Sequence, residues 1–194
     1  MAVLSRGGKF DIRRVVLTGV AVMGLAATLT SCSSGSSSSS SSGSPQSQLA
    51  QGIAESRASN YTQAQHLFGA IIANPSASKP LKSLAFYNLG VIHQSIGPLR
   101  TTLIDYLNAV RLNPKFTSAW FNLAVAETRV NSKLAVDYYN KILVLKPGDA
   151  NSLFNSGLIL YARGNHAEGA SRIKTAIAKV PALAKRVPPT VKLN

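Results

Sequence analysis

Two hydrophobic patterns divide the chain. From Val15 to Thr30 apolar residues run almost without interruption. From about residue 49 onward they recur every three or four positions with polar residues between them, the spacing of amphipathic helices. This second pattern, read with its Gly, Pro and Asn breaks, predicts helices over 49–58, 61–73, 81–96, 99–112, 117–130, 133–145, 150–163 and 166–179. Between the two patterns, Ser33 to Ser44 is almost pure serine broken by Gly35 and Gly43, and it leads into Pro45-Gln-Ser-Gln48. Nothing there can bury apolar surface, so residues 32–48 read as a disordered tether with a root-mean-square reach of roughly 22 Å. About 145 residues remain for folding, enough for one continuous core.

The helical part repeats. Phe86-Tyr-Asn-Leu89-Gly90 returns as Trp120-Phe-Asn-Leu123-Ala124 and as Leu153-Phe-Asn-Ser156-Gly157, first after 34 residues and then after 33. Each segment is followed by a second helix that ends in a proline: Pro114, Pro147 and Pro181. Proline cannot continue a helix, and Gly or Ala at the eighth position of a repeat lets its two helices approach closely. Gly97-Pro98 and Gly164-Asn165 mark the turns within a pair.

These segments resemble the tetratricopeptide repeat (TPR). The third supplies Trp120, Leu123, Ala124, Ala135, Tyr139 and Pro147, and the second Phe86, Leu89, Gly90, Tyr106, Ala109 and Pro114. The fourth supplies Gly157, Gly164, Ala176 and Pro181, and a degenerate first repeat Gly52, Asn60, Tyr61, Ala64, Phe68 and Pro75. The resemblance covers residues 49–181 and implies an all-α fold, a right-handed superhelix of antiparallel helix pairs with about 3.5–4 repeats. The chain departs from the pattern at Thr102, where a small alanine is expected. The third repeat is one residue short, and extra residues near Ser76–Lys79 imply looser stacking of repeats one and two. The 182–194 segment, with Pro188-Pro189, reads as a basic tail without a capping helix, which would leave the last helix exposed or free to dimerise.

The resemblance also implies a function. The first helix of each TPR lines a concave groove, and its second, fifth, ninth and twelfth positions face a ligand. Here these are Leu84, Tyr87, Val91 and Gln94; Ser118, Phe121, Val125 and Thr128; and Asn151, Phe154, Leu158 and Tyr161. Such a stripe suits an extended segment or an amphipathic helix. Tyr87, Phe121 and Phe154 form an expected row of exposed anchors, and Asn88, Asn122 and Asn155 run beside them. An amide can pair with a peptide backbone, though buried amides more often hold structure. A carboxylate clamp is not supported, because its basic residues would fall at Asn151 and Asn155. Trp120 is expected to be buried between repeats two and three.

The leader changes the setting. Residues 1–14 are basic and end in Arg13-Arg14, and the apolar run after them would span ~24 Å as a helix, short of the ~30 Å hydrocarbon core. It reads as the signal peptide of residues 1–31. Leu29-Thr30-Ser31-Cys32 resembles the bacterial lipobox, which implies diacylglycerol on Cys32 and cleavage before it. An ordinary secretory signal and an uncleaved anchor stay open, as do the Sec and twin-arginine routes. Cys32 is the sole cysteine, so no intramolecular disulfide can form. The expected location is a membrane, lipid-anchored on its extracytoplasmic side.

Net charge is +14 at pH 7. Arg100, Arg111, Lys115, Lys141, Lys146, Arg172, Lys174 and Lys179 fall mainly on second helices or at their ends, expected to be a convex or edge surface. A solvated face is the plain reading, and contact with anionic envelope polymer or lipid the alternative. Nucleic acid is not expected. His66, His93 and His166 lack metal-ligand spacing, so no metal, cofactor or enzyme activity is expected, and His93 reads as a packing histidine.

Overall fold

A computed structural model describes residues 43–193. The signal peptide assigned to residues 1–31, the lipobox with Cys32, and the tether up to residue 42 lie outside the described residues. Eight α-helices follow in antiparallel pairs: α1 Pro45–Arg57 with α2 Tyr61–Ala73, and α3 Lys79–Ile96 with α4 Leu99–Leu112. The third pair is α5 Thr117–Glu127 with α6 Ser132–Leu145, and the fourth α7 Ala150–Ala162 with α8 His166–Lys179. A single 3-10 turn, Pro181–Arg186, follows. The strong contacts run between neighbours in this series, as in a solenoid built one unit at a time.

Local chemistry sets the helix starts. The Ser78 hydroxyl, Asn131 amide oxygen and Asp149 carboxylate accept from Leu81, Leu134 and Ser152 N–H at 3.4, 3.1 and 2.8 Å. Each caps an otherwise unpaired donor. The same device corrects the expected tether. Ser44 accepts from Ser47 N–H at 3.2 Å, and Pro45 has the φ of a first helical residue, so Pro45–Gln48 is helical.

Close packing within a pair depends on the small eighth position. A Cβ at Gly90 would meet the Tyr106 ring at 2.6 Å, and one at Gly157 would meet the backbone oxygen of Gly169 at 2.9 Å. Thr102 fits the alanine position because its hydroxyl donates to Pro98 O at 3.3 Å while the side chain is buried. The inserted segment before α3 does not loosen the stack. Ala77 is buried among Phe68, Ile71, Leu81 and Ala85, joining the first pair to the second.

The core forms four clusters, and each joins a helix pair to what comes next. Tyr87 of α3 packs with Tyr106 and Ala109 of α4 and with Ala119 and Leu123 of α5. Phe121 and Val125 of α5 pack with Tyr139 of α6 and Ile159 of α7. Among the described residues no further α-helix follows α8. Instead, Leu183 and Val191 of the tail bury Phe154 and Leu158. The tail up to residue 193 therefore caps the solenoid, which overturns the reading of an uncapped basic tail.

Candidate functional site: the cleft between the first helices

The expected row of exposed aromatics is not observed. Tyr87, Phe121 and Phe154 are buried, with Phe154 fully covered. Their repeat position faces the seam where the following helix docks, so each ring serves packing. Tyr87 lies 4.8 Å from the Phe116 ring and 5.9 Å from Tyr106, and Phe121 meets Tyr139 edge-on at 5.6 Å. The Arg186 guanidinium covers Phe154 at 5.1 Å. Val125 and Leu158 are buried in the same seams, whereas Val91 and Tyr161 are half-buried. The Tyr161 hydroxyl accepts from Lys192 N–H at 2.9 Å, so the tail reaches this last groove position too.

The asparagines divide in the same way. Asn88 donates to Leu84 O of its own helix at 2.7 Å. Asn122 donates to the Tyr106 and Tyr87 hydroxyls at 3.3 and 3.4 Å, and Tyr106 donates onward to Gln94 at 2.7 Å. Asn155 donates to the Tyr139 hydroxyl at 3.2 Å. Burial pushes the Tyr106 and Tyr139 hydroxyls well above the ordinary tyrosine range, so both stay protonated. The Asn122 and Asn155 bonds tie the first helix of one repeat to the second helix before it, which is a structural duty.

A cleft of about 100 Å³ does open between the starts of α5 and α7. It is lined by Thr117, Ser118, Phe121, Asn122, Ile142, Lys146, Asp149 and Asn151. Of the predicted groove residues, Phe121 and Asn122 form part of this wall, and Ser118 and Asn151 contribute from the second position of their repeats. Because two tyrosine hydroxyls hold the Asn122 nitrogen, its Oδ1 is the acceptor left at the wall. Sequence reasoning missed Thr117 and Ile142, and it placed Lys146 on a convex or edge surface rather than in the groove. The signal was available in Lys146-Pro147-Gly148-Asp149, a turn whose Asp149 cap brings Lys146 beside the start of α7. A second depression of about 140 Å³ lies where the end of α3 and the start of α4 meet the end of α5, and it is lined by Gln94, Thr102, Val125 and Arg129.

Three further expectations change or hold. Trp120 is half-buried rather than enclosed. Its Nε1–H donates to Pro114 O at 2.9 Å, and its ring lies 5.3 Å from Tyr138. Arg172 is no free convex cation, for it donates to Asn140, Ser156 and Glu168 at 2.7–2.9 Å and staples α6, α7 and α8. His93 is a satisfied packing histidine. Its Nδ1 lies 2.6 Å from Asp105 and its Nε2 lies 2.9 Å from Gln65. A Gln65 N–H donated to Nε2 requires the ring proton on Nδ1, facing the carboxylate. Among the described residues no group of three His, Cys, Asp or Glu could hold a metal, and no helix is long and apolar enough to cross a membrane.

Comparison with known proteins agrees with this geometry. Residues 49–95 match the family model for the tetratricopeptide repeat. The chain is 27% identical over 106 residues to the photosystem I assembly protein Ycf3 of Acaryochloris marina, covering 53% of this chain and 64% of that protein. It is 33% identical over 72 residues to human (Homo sapiens) tetratricopeptide repeat protein 6, covering 37% of this chain and 14% of that one. The chain thus spans less than two thirds of the length of these curated relatives. Among solved structures, MamA superposes with a TM-score of 0.63 at 20% identity, over 73% of this chain and 81% of that one. YrrB, a TPR protein with an unusual peptide-binding site, gives 0.59 at 19% over 74% and 75%. At that identity the likeness establishes the fold: the observed helix pairs build a solenoid of the tetratricopeptide-repeat type, and residues 49–95 match the repeat itself.

Proposed function

We propose that the protein is a lipid-anchored, extracytoplasmic adaptor that holds an extended segment of a partner protein in the cleft between α5 and α7. The observation that carries this reading is the composition of that cleft. Phe121 and Ile142 offer an apolar floor, Ser118, Asn122 and Asn151 offer hydrogen bonds, and Lys146 and Asp149 provide one charge of each sign. This is the equipment for a peptide backbone with a small apolar side chain. The volume is well below the roughly 300–1,000 Å³ of small-molecule sites. The peptide-binding site named for YrrB lends support from a protein of the same fold.

The test begins by selecting peptides on the immobilised chain and measuring their affinity by calorimetry. Asn151→Ala with Lys146→Gln should weaken a selected peptide about tenfold, the effect of losing one or two interfacial hydrogen bonds. Arg100→Gln, on an outward helix face, should leave it unchanged. Equal affinities for both variants would refute the cleft as the site.

The anchor rests on a separate observation, the Leu29-Thr30-Ser31-Cys32 sequence behind an apolar run and a basic start. Cys32→Ser should abolish metabolic labelling with a fatty acid, since no other cysteine can carry the thioether. Persistent labelling of that variant would end the lipoprotein reading.

A further inference from the structure

The outward face of α4 and α6 combines two features that solvent alone does not account for. Ile104, Leu107 and Val144 project from it at 47%, 39% and 79% exposure. Around them stand exposed Arg100 and Arg111 on α4 and Lys133 and Lys141 on α6. The repeat spacing places these groups on one surface, because position 100 corresponds to 133, 104 to 137, 108 to 141 and 111 to 144. Asp137 is the one carboxylate among these positions. Among the described residues, none of the four cations makes an ion pair.

We propose that this convex face docks on an anionic lipid bilayer, with the cations on head-group phosphates and the three aliphatic side chains entering the interface. The mixture favours lipid over a soluble polyanion. Phosphate along a polymer would engage the cations but give Ile104, Leu107 and Val144 nothing apolar to enter. Isolated aliphatics ringed by long cationic stems suit a bilayer surface, where the stems lie along the apolar boundary and the charges reach the phosphates. Such docking would turn the α5–α7 cleft away from the membrane and toward a partner. The inference rests on the reading that the chain resides at a membrane, though not on lipidation of Cys32.

The test uses the full chain carrying Cys32→Ser, held on vesicles by its apolar residues 15–30. An environment-sensitive dye is placed at Val144→Cys or, as reference, at Asn151→Cys in the cleft. In phosphatidylcholine vesicles with about one third phosphatidylglycerol, the dye at 144 should shift to the blue and be quenched by lipid-borne quenchers, while the dye at 151 should not. The shift should vanish in pure phosphatidylcholine, in ~0.5 M salt, and when the four cations are changed to Gln. The salt arm needs no variant, so it holds even if the quadruple variant misfolds. A chain that floats with the vesicles while its dye at 144 stays in water overturns the docking face. A chain that fails to float even with the anionic vesicles overturns the docking face as well, since the face then adds no hold on anionic lipid. A shift that appears without vesicles as protein concentration rises assigns the face to a second copy. A shift induced by soluble polyphosphate alone assigns it to a polymer, and either result overturns the proposal.

Discussion

Glu127 and His93 stand 34 residues apart, at the same position of successive repeats, and the array treats them differently. His93 has Asp105 and Gln65 beside it. Glu127 is buried to 8% exposure with no such partner, and desolvation raises its pKa above the usual carboxylate range. A raised pKa means that the folded state binds a proton the unfolded chain has released. Stability is therefore fullest below the ordinary carboxylate value and falls as pH rises through the folded one. Glu127→Gln removes that loss. It should raise Tm at pH 7 by about 2–4 °C, as expected for roughly 1 kcal/mol in a domain of this size. The gain should shrink on acidification to about pH 4, where the wild-type carboxyl is largely protonated. Thermal melts at the two pH values check this, and an equal gain at both would mean that the charge is not the cause. The sequence marked His93 as a packing residue from its register. Register could not distinguish a partnered polar group from an unpartnered one, because Gln65 and Asp105 arrive from other helices.

At the scale of the element, repeat spacing and breakers were nearly sufficient. The spans 61–73, 99–112 and 166–179 coincide with α2, α4 and α8. The departures have local causes. α1 starts earlier because Ser44 and Pro45 form a start signal inside a serine-rich stretch. α5 stops at Glu127 rather than 130, where Val130 and Asn131 N–H both turn back to Glu127 O at 2.9 and 2.7 Å. The candidate site was less legible. Repeat position identified Phe121, Asn122, Ser118 and Asn151, yet it could not report how much of each side chain a neighbouring helix covers. Tyr87, Val125 and Leu158 share the helical stripe of the cleft residues and are nevertheless sealed in the seams. Coverage depends on how the next helix docks, and that is a non-local property. The Asn122 amide illustrates the coupling, since its packing bonds to Tyr87 and Tyr106 also leave Oδ1 at the cleft wall.

Whole-molecule stability in a stack of this kind is nearly a sum of units and the seams between them, so an unfilled terminal seam is a local liability. The tail fills that seam with little regular structure. Leu183 and Val191 are buried over Phe154, Leu158, Ile173 and Ala176, Lys192 N–H bonds Tyr161, and Arg186 lies over Phe154. Burying each aliphatic side chain contributes about 1.5–3 kcal/mol. Leu183→Asp with Val191→Asp should therefore release the tail and lower Tm by roughly 5 °C or more, given 2–4 °C per kcal/mol. The damage should be graded along the chain. Amide-exchange protection should fall in α7 and α8 and persist in α1 to α4, because no strong contact links the tail to the early helices. The uncovered Phe154 and Leu158 surface should bind an apolar dye and promote self-association in size-exclusion chromatography. Unchanged protection in α7 and α8 would show that the tail is a bystander. A uniform loss across all eight helices would show instead that the solenoid folds as one cooperative block, against the additive picture on which the prediction depends.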